Sequence, residues 1–408
     1  MKALVIAGGV PQIELIKQLK ERGICTVLAD GNEKAVARPY ADVFYRVNIF
    51  DIPAIKEIAE REKVDFLLTV CADQVLLVVA EVSEMLHLPC YIDFQTAQNV
   101  SDKIRMKRIF KDHGIPTTDY IETDHFDLNA ISALRYPLVV KPVDAYSSRG
   151  VRKALNEEEL RKYYAEAQQI SRSGGVIVEE FFQGDEISVD AFVVNGKAKV
   201  LAVTNSEKIK YDDRFVIFRG RYPVAASETV LKKIEEIAQK IADGFGLVNS
   251  PLLIQLLNHG DEVSVLEFCA RTGGNMKWLL IKYSCGVDVI KATIDITLGL
   301  EPDLELKDTN NNIVVNDFIY CYPGVFDHFE GFDEMVARGY INEFHAVRIK
   351  GTEMHGANSS SDRIAGMNIV ADSIDDFNMK EQMILKNVKV IDMDGNDIMR
   401  RDLLPPLH

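Results

Sequence analysis

Residues 136–151 read YPLVVKPVDAYSSRGV, and the interpretation of the fold starts from this stretch. The apolar run before Lys141 predicts a strand, and the small and polar residues after it predict a short loop. Backbone N–H groups of such a loop can close over phosphates, while Lys141 supplies a fixed positive charge. The candidate loop residues are Ser147, Ser148 and Gly150. A strand-edge lysine followed by an ordinary turn is the alternative interpretation.

A second segment, residues 176–190, reads VIVEEFFQGDEISVD. Its apolar start predicts a buried strand, which leads into a connector of two acids and two phenylalanines: Glu179, Glu180, Phe181 and Phe182. Backbone groups of such a connector can hydrogen-bond an adenine edge, and one of the aromatic rings can pack on the adenine face. After a turn, Glu186 can accept hydrogen bonds from ribose hydroxyls. Two solvated glutamates and two core phenylalanines are the alternative.

A third segment, residues 254–274, reads IQLLNHGDEVSVLEFCARTGG and predicts a hairpin. Its strands place Gln255 and Glu267 where they can face one another, and their hard oxygens suit Mg²⁺, which bridges phosphate oxygens. Glu267 lies in a segment otherwise fit for burial, where an acid is costly unless it is paired or metal-bound. Just past the strand, Arg271 can bind a phosphate or a carboxylate through two hydrogen bonds.

A fourth segment, residues 101–110, reads SDKIRMKRIF and predicts a basic helix. Its Lys103 is a candidate for a further contact with phosphate or adenine. A solvated basic face explains the same residues equally well. These four segments lie far apart in the sequence, so only the fold can bring them together.

The first hundred residues alternate short β-branched runs with helical patterns, which predicts parallel strands in a doubly wound sheet. The predicted strands are 4–7, 26–29 and 66–70. Asp30 lies where an acid would meet a ribose in a dinucleotide site. The glycine-rich fingerprint of such a site is missing, however, so we interpret Asp30 as a strand-end residue.

The composition argues against several classes of protein. The 408 residues carry 47 Lys and Arg against 62 Asp and Glu, a net charge of −15, which disfavours a general nucleic-acid or anionic-membrane binder. Six scattered cysteines without a CxxC pattern argue against a disulfide framework. The most apolar stretch is interrupted by Asp73 and Glu81, so we expect no membrane span and a cytoplasmic protein.

As a set, in this order and spacing, the four segments resemble the ATP-grasp superfamily. The nearest likeness is to the carboxylate–amine ligases related to the carbamoyl-phosphate synthetase large subunit and to N5-carboxyaminoimidazole ribonucleotide synthetase. The resemblance covers about residues 1–300 and implies an α/β fold with three regions. These are a Rossmann-like pre-ATP-grasp domain at 1–100, a two-lobed α+β ATP-grasp domain at 101–305 (lobes about 101–180 and 181–305), and a strand-rich C-terminal substrate or lid domain at 306–408.

The resemblance also implies roles for individual residues. The residues implied to bind the nucleotide are Lys103, Lys141, Ser147, Ser148, Gly150, Glu179, Glu180, Phe181, Phe182 and Glu186. Gln255 and Glu267 are implied to hold the metal, and Arg271 is implied to act with Lys141 in catalysis. Where the family usually has asparagine, this chain has Cys269, and a thiol is a poor Mg²⁺ ligand. Whether one or two metals bind therefore stays open.

The implied activity is that of a ligase that uses ATP and Mg²⁺, with Mn²⁺ as the other candidate metal. A small-molecule carboxylate would become an acyl phosphate, and an amine or similar nucleophile would then attack it, leaving ADP and phosphate. A nucleotide-binding or regulatory module without catalysis is the alternative, and a dinucleotide-dependent oxidoreductase is a weaker one. Neither nucleic acid nor a membrane is expected as a partner, and analogy with the relatives leaves a homodimer open.

Overall fold

The structure, a computed structural model, describes residues 1–123, 125–145, 150–209, 216–274, 276–309 and 312–407. Within these ranges the strands form four sheets. One sheet is parallel and belongs to the N-terminal region, and the other three are antiparallel. The fold is therefore mixed α/β, as the sequence predicts.

The N-terminal region is a parallel sheet packed against helices. Its elements are β1 (Lys2–Ile6), α1 (Val10–Glu21), β2 (Cys25–Asp30), β3 (Val43–Arg46), α2 (Ile52–Glu62), β4 (Phe66–Leu68), α3 (Asp73–Leu86) and α4 (Phe94–Ser101). The strand order is β3-β2-β1-β4, and every pairing in this sheet is parallel, as predicted. The sequence does not predict β3, because this strand is short, only partly buried and without an apolar run.

Asp30, at the end of β2, has a structural role. The backbone N–H of Gly8 donates to its Oδ2 at 2.6 Å, and the N–H of Asn32 donates to its Oδ1 at 2.6 Å. A Cβ at Gly8 would lie 2.7 Å from the Cβ of Ala35, so the turn after β1 is closely packed. The carboxylate is thus used to fix this turn, in agreement with its interpretation as a strand-end residue.

The next region contains a four-stranded antiparallel sheet with the order β5-β8-β6-β7. Its elements are α5 (Lys103–Asp112), β5 (Tyr120–Thr123), α6 (Leu128–Ile131), β6 (Leu138–Pro142), β7 (Arg152–Ala154), α7 (Glu157–Ile170) and β8 (Val176–Glu180). Helix α5 begins at Lys103 because the side chain of Asp102 accepts hydrogen bonds from the N–H groups of Ile104 and Arg105 at 2.9 and 3.0 Å. This cap fixes the position of Lys103.

The remaining elements are the strands of the two other sheets and the helices that follow in the chain. They are β9 (Asp185–Val194), β10 (Lys197–Lys208), β11 (Ile217–Tyr222), α8 (Glu228–Gly244), β12 (Ser250–His259), β13 (Glu262–Cys269), α9 (Lys277–Cys285), α10 (Val289–Thr297), β14 (Ile313–Ile319), β15 (Gly324–Glu330), α11 (Phe332–Ala337), β16 (Glu343–Ala346), β17 (Glu353–Met354), β18 (Ala365–Ala371), α12 (Ile374–Asn387) and β19 (Lys389–Asp392). The turn between β9 and β10 has φ angles of 50° at Asn195 and 74° at Gly196, as a two-residue hairpin requires.

The eight-stranded sheet has the order β13-β12-β9-β10-β11-β14-β18-β16. Strand β11 pairs with β14, so strands from before and after residue 305 share one sheet. A smaller sheet, β17-β15-β19, lies in the C-terminal region. The strand-rich character of this region agrees with the sequence, while the domain boundaries remain a prediction.

A buried charged cluster lies where β11 meets β14. Arg219, fully buried, donates to Asp317 through Nε at 2.6 Å and also pairs with Glu381 of α12. Its Nη1 donates to the carbonyl oxygen of Pro405 at 2.7 Å. Burial and the charge of Asp317 together raise the pKa of Glu381 to about 9, against the opposing effect of Arg219. At neutral pH the cluster therefore holds one paired carboxylate and one neutral carboxyl group.

We expect the substitution Glu381→Gln to change the free energy of unfolding at pH 7 by about 1 kcal/mol or less, because an amide replaces a neutral carboxyl group. Asp317→Asn should cost more, because it leaves the buried Arg219 without its charged partner. In the wild type, the free energy of unfolding should fall as the pH rises above the ordinary pKa of a glutamate. The reason is that Glu381 keeps its proton in the folded state and loses it in the unfolded state. Urea unfolding between pH 5 and 9 would show this slope, and Glu381→Gln should remove it. An unchanged slope in the variant would contradict the account.

Candidate active site

A cleft of about 1000 Å³ lies between the antiparallel sheet β5-β8-β6-β7 and the eight-stranded sheet. The site residues predicted from the sequence that line it are Lys103, Lys141, Glu179, Glu180, Phe181, Phe182, Glu186, Gln255 and Glu267. They come from α5, β6, β8, β9, β12 and β13, which the chain order separates widely. The fold therefore brings the four sequence segments to one place.

Lys141 and Glu179 lie together on the floor of the cleft. The Nζ of Lys141, on β6, lies 3.1 Å from Oε1 of Glu179, on the neighbouring strand β8. Glu179 is 2% exposed, and burial alone would raise its pKa. The charges of Lys141 and Lys107 oppose this and lower the pKa of Glu179 to about 2. The floor therefore carries a permanent carboxylate that holds Lys141 in place.

Lys107 is a residue of this site that the sequence analysis does not assign. It is 2% exposed, and its Nζ donates to Oε2 of Glu179 at 3.1 Å and to the hydroxyl of Thr117. Burial lowers the pKa of Lys107, Glu179 opposes the shift, and the charge of Lys141 adds to it. Its signal in the sequence is position: Lys107 follows Lys103 by one helical turn, so the two lysines share one face of α5.

Contacts with Arg135, Pro137 and Lys153 position the connector after β8. Arg135 binds the carboxylate of Glu180 with Nε at 3.1 Å and Nη2 at 2.9 Å. The N–H of Phe181 donates to the carbonyl oxygen of Pro137 at 2.9 Å. The Nζ of Lys153 lies 3.7 Å from the centre of the Phe181 ring. The Glu180 carboxylate is thus occupied, and the rings of the connector are left to line the cleft.

Glu186 lies at the other wall of the cleft, at the start of β9. It is 8% exposed, and its Oε1 accepts a hydrogen bond from Nε2 of Gln255 at 3.1 Å. Its Oε2 pairs with Lys208 of β10, a contact that the sequence analysis does not predict. Glu186 is therefore a charged, positioned acceptor next to the hairpin that carries Gln255.

The predicted hairpin places Gln255 and Glu267 opposite one another. The pairing of β12 with β13 sets Gln255 directly across from Glu267, and a β-bulge follows this pair. Glu267 is about one-third exposed, with its Oε2 3.6 Å from Nζ of Lys103. Because the amide nitrogen of Gln255 donates to Glu186, its carbonyl oxygen is the donor left for a metal.

These two oxygens fit a magnesium ion that completes its coordination with phosphate and water. Mg²⁺ at nucleotide sites usually binds one or two protein oxygens and the phosphates of its substrate. Among the described residues, no group of three or more His, Cys, Asp or Glu side chains could hold a metal. The geometry therefore suits a shared protein–phosphate site rather than a cage built by the protein alone.

Arg271 lies in a second, smaller cavity of about 200 Å³ that adjoins the cleft. The residues lining both cavities are Lys103, Met106, Ala145, Ser206, Gln255 and Glu267. Arg271 is 6% exposed; its Nε and Nη2 donate to Asp73, and Nη1 donates to the carbonyl oxygen of Thr272 at 2.9 Å. Burial alone would lower the pKa of Arg271, but the carboxylate of Asp73 raises it, so the guanidinium stays charged.

Asp73 is the second residue of the site that the sequence analysis does not assign. It is the first residue of α3, and residues 69–72 separate it from the end of β4 in the N-terminal sheet. Ligand sites of parallel sheets form beyond the carboxyl ends of the strands, and this is the signal that could have found it. Cys269 lies in the same cavity, where burial raises its pKa well above the usual range of a thiol.

The predicted loop residues after Lys141 are not placed in the cleft. Ser147 and Ser148 lie outside the described ranges. Gly150 is described, with φ of 76°, and a Cβ there would lie 2.8 Å from Cδ1 of Ile170. It packs against α7 and is absent from the described lining of the cleft.

Comparison with known proteins explains this arrangement. Residues 134–278 match the model of the ATP-grasp domain family. This part of the chain is an ATP-grasp domain. The matched residues include Lys141, the connector after β8 and the hairpin of Gln255 and Glu267, whereas Lys103 and Asp73 lie before them. The predicted ATP-grasp fold, the ligase class and the use of ATP with Mg²⁺ are confirmed, and the roles of single residues remain predictions.

Similar proteins extend the likeness over the whole chain. The formate-dependent phosphoribosylglycinamide formyltransferase of Mannheimia succiniciproducens is 25% identical over 276 residues, which cover 66% of this chain and 69% of that protein. The L-amino acid ligase of Bacillus licheniformis has a TM-score of 0.79 at 19% identity and covers 96% of this chain and 98% of its own. N5-carboxyaminoimidazole ribonucleotide synthetase of Thermotoga maritima has a TM-score of 0.73 at 18% identity, with 96% and 99% covered. These structures share the ATP-grasp fold.

None of the helices in the described ranges is long and apolar enough to cross a bilayer. The longest, α8, has 17 residues and one apolar face.

Proposed function

We propose that this protein is a ligase that phosphorylates a small carboxylate with MgATP and joins the acyl group to an amine. One observation carries the proposal: the large cleft and the small cavity share a wall that contains Lys103, Gln255 and Glu267. A nucleotide in the cleft would thus present its terminal phosphate to a substrate in the cavity. The named relative joins formate to phosphoribosylglycinamide, and this supports the same class of chemistry.

Different residues of the cleft suit the adenine, the ribose and the phosphates of a nucleotide. The connector rings Phe181 and Phe182 supply apolar area for adenine, and Glu186 supplies acceptors for ribose hydroxyls. Lys141 and Lys103 supply positive charge for the phosphates. The N–H groups of residues 146–150 remain the predicted cover over these phosphates.

The chemistry asks little covalent work of the protein. When bound at Gln255 and Glu267, Mg²⁺ would neutralise charge on the phosphates. An oxygen of the carboxylate attacks the γ-phosphorus while the bond to the β-phosphate bridging oxygen breaks, which gives an acyl phosphate and ADP. The amine nitrogen then attacks the acyl carbon, phosphate leaves, and the amine loses its proton to solvent. Lys141 and Arg271 would lower the barrier by holding charge in place while water is excluded.

We also propose that the protein works in the cytoplasm on a separate carboxylate and amine, and that it forms a homodimer. All six cysteines are unpaired, which is typical of a reducing compartment. The dimer rests on analogy with related ligases alone. Sedimentation of the purified chain would decide between monomer and dimer.

A screen for ADP release tests the proposal. Pairs of carboxylic acids and amines are added to the enzyme with MgATP, and mass spectrometry detects the joined product. We expect ADP only when a productive acid is present, and a product only when the amine is added. MgATP binding without ADP release across the whole panel would contradict the proposal and favour a nucleotide-binding module.

We expect Lys141→Ala to weaken MgATP binding by about 10- to 100-fold, because a hydrogen bond to a charged group contributes about 1.5–3 kcal/mol. Isothermal titration calorimetry with a non-hydrolysable ATP analogue measures the change. Lys162→Ala, at an exposed position of α7, is the matched control and should leave the affinity unchanged. Equal affinities in Lys141→Ala and wild type would show that Lys141 does not bind the phosphates.

A further inference from the structure

The small cavity limits the size of the substrate. Its volume is about 200 Å³, and its lining includes Asp73, Arg271, Lys277 and the hydroxyl groups of Ser188 and Ser206. A molecule with a few heavy atoms beyond its carboxylate fits this space.

The charges of the cavity are balanced in pairs. Lys103 lies 3.6 Å from Glu267, Arg271 pairs with Asp73, and Lys277 lies 3.3 Å from Asp190. Asp190 and Lys277 are buried, and Lys277 also donates to the hydroxyl of Thr204. Among the described lining residues, every cation therefore has an acidic partner. The described lining therefore has no surplus of positive charge, which suits a ligand of zero net charge.

Asp73 presents an acidic group to the substrate. Both of its contacts with Arg271 are made by Oδ1, and about one-third of the Asp73 side chain is exposed. Asp73 belongs to the described lining of the small cavity and not to that of the large cleft. The Asp73 carboxylate also hydrogen-bonds with the Cys269 thiol, and its exposed part can accept a hydrogen bond from an ammonium group.

We propose that the small cavity binds a small amino acid as a zwitterion. Its ammonium group lies against Oδ2 of Asp73, and its carboxylate faces the shared wall at Lys103, Gln255 and Glu267. The inference rests on the proposed ligase function and names the acid that the enzyme activates. One carboxylate oxygen of the amino acid takes the γ-phosphoryl group from ATP and ADP leaves, which gives an aminoacyl phosphate.

Trapping with hydroxylamine identifies the activated acid. The enzyme is incubated with MgATP, hydroxylamine and one acid at a time, and the hydroxamate and ADP are measured. The panel contains the proteinogenic L-amino acids, their counterparts without the amine (propionate for alanine) and 3-phosphoglycerate. We expect at least one small amino acid to be activated at least about 10- to 100-fold better than its amine-free counterpart, as a charge-assisted hydrogen bond predicts.

The outcomes separate this inference from the proposed function. If an amine-free or phosphate-bearing acid is activated as well as every amino acid, the inference is wrong while the ligase function stands. If MgATP binds but no acid yields ADP or hydroxamate, the ligase function itself fails.

A variant tests the assigned role of Asp73. Asp73→Asn keeps the shape of the side chain and should raise the KM for the amino acid, with the preference over the amine-free acid reduced toward one. The KM for ATP should stay unchanged, which a general loss of folding would not produce. Glu84→Gln, an exposed acid on the same helix α3, is the matched control. An undiminished preference for the amine in folded Asp73→Asn would overturn the assignment.

Discussion

Replacing Glu267 by alanine is expected to lower kcat by about 10³-fold, or about 4 kcal/mol of transition-state stabilisation. Among the described residues that line both cavities, Glu267 is the one carboxylate, and it faces Gln255 across the β12–β13 hairpin. Without it, the metal loses a ligand at the point where the phosphoryl group is transferred. Lys103 also loses its acidic neighbour.

Initial rates of ADP release over a magnesium titration measure this effect. In Glu267→Ala the magnesium concentration for half-maximal rate should rise as kcat falls. Glu262→Ala, at the exposed start of the same strand, is the matched control and should keep both values. A Glu267→Ala enzyme with full turnover at unchanged magnesium dependence would contradict the metal assignment.

Replacing Lys107 by methionine is expected to destabilise the folded protein by about 3–5 kcal/mol, the usual cost of removing one partner from a buried ion pair. Glu179 would keep its charge with Lys141 as its single cationic partner. The pKa of Glu179 is held at about 2 by both lysines against the effect of burial, so its rise in the variant is expected. The floor of the cleft would then keep the pair of Lys141 and Glu179 but lose one of its two buried cations.

Urea unfolding at pH 7 and at pH 4 measures the change. In the wild type, Glu179 contributes stability above the ordinary glutamate pKa, and this is lost as pH falls toward 2. In Lys107→Met this loss of stability should begin at a higher pH, because the pKa of Glu179 is expected to be higher. Lys111→Met, exposed on the same helix, should stay within about 0.5 kcal/mol of wild type. The double variant Lys107→Met/Glu179→Met should be less destabilised than Lys107→Met, and the reverse order would contradict the pairing.

The parts of the site that the sequence predicts are those in which local pattern carries the chemistry. The strand before Lys141, the connector after β8 and the hairpin of Gln255 and Glu267 all have periodicity or turn signals that fix their local geometry. The facing of Gln255 and Glu267 follows from the hairpin alone, and the observed register agrees with it.

The parts that the sequence does not predict depend on distant contacts. Asp73 begins α3 and Arg271 follows β13, 198 residues further along the chain, so no local pattern joins them. Lys107 looks like one more cation on a basic helix, and only burial against Glu179 distinguishes it from Lys111. The short strand β3 is missed for a related reason, because it has four residues and is defined by its pairing with β2, which lies earlier in the chain.

The net charge of −15 gains a local meaning from the structure. The cations at the site are each placed against an acid: Lys141 against Glu179, Lys103 against Glu267, and Arg271 against Asp73. These acids position the cations without cancelling their ability to donate hydrogen bonds. An acidic protein can therefore bind an anionic nucleotide through a few fixed groups.

The central claim is that a carboxylate is phosphorylated by ATP before the amine attacks. Transfer of ¹⁸O tests it most directly: the acid found in the ADP-release screen is labelled in its carboxylate, and the phosphate released during turnover is analysed by mass spectrometry. We predict one ¹⁸O atom in each phosphate, because a carboxylate oxygen stays with the phosphorus when the acyl phosphate breaks down. Product formation with unlabelled phosphate, or with AMP in place of ADP, would contradict the account.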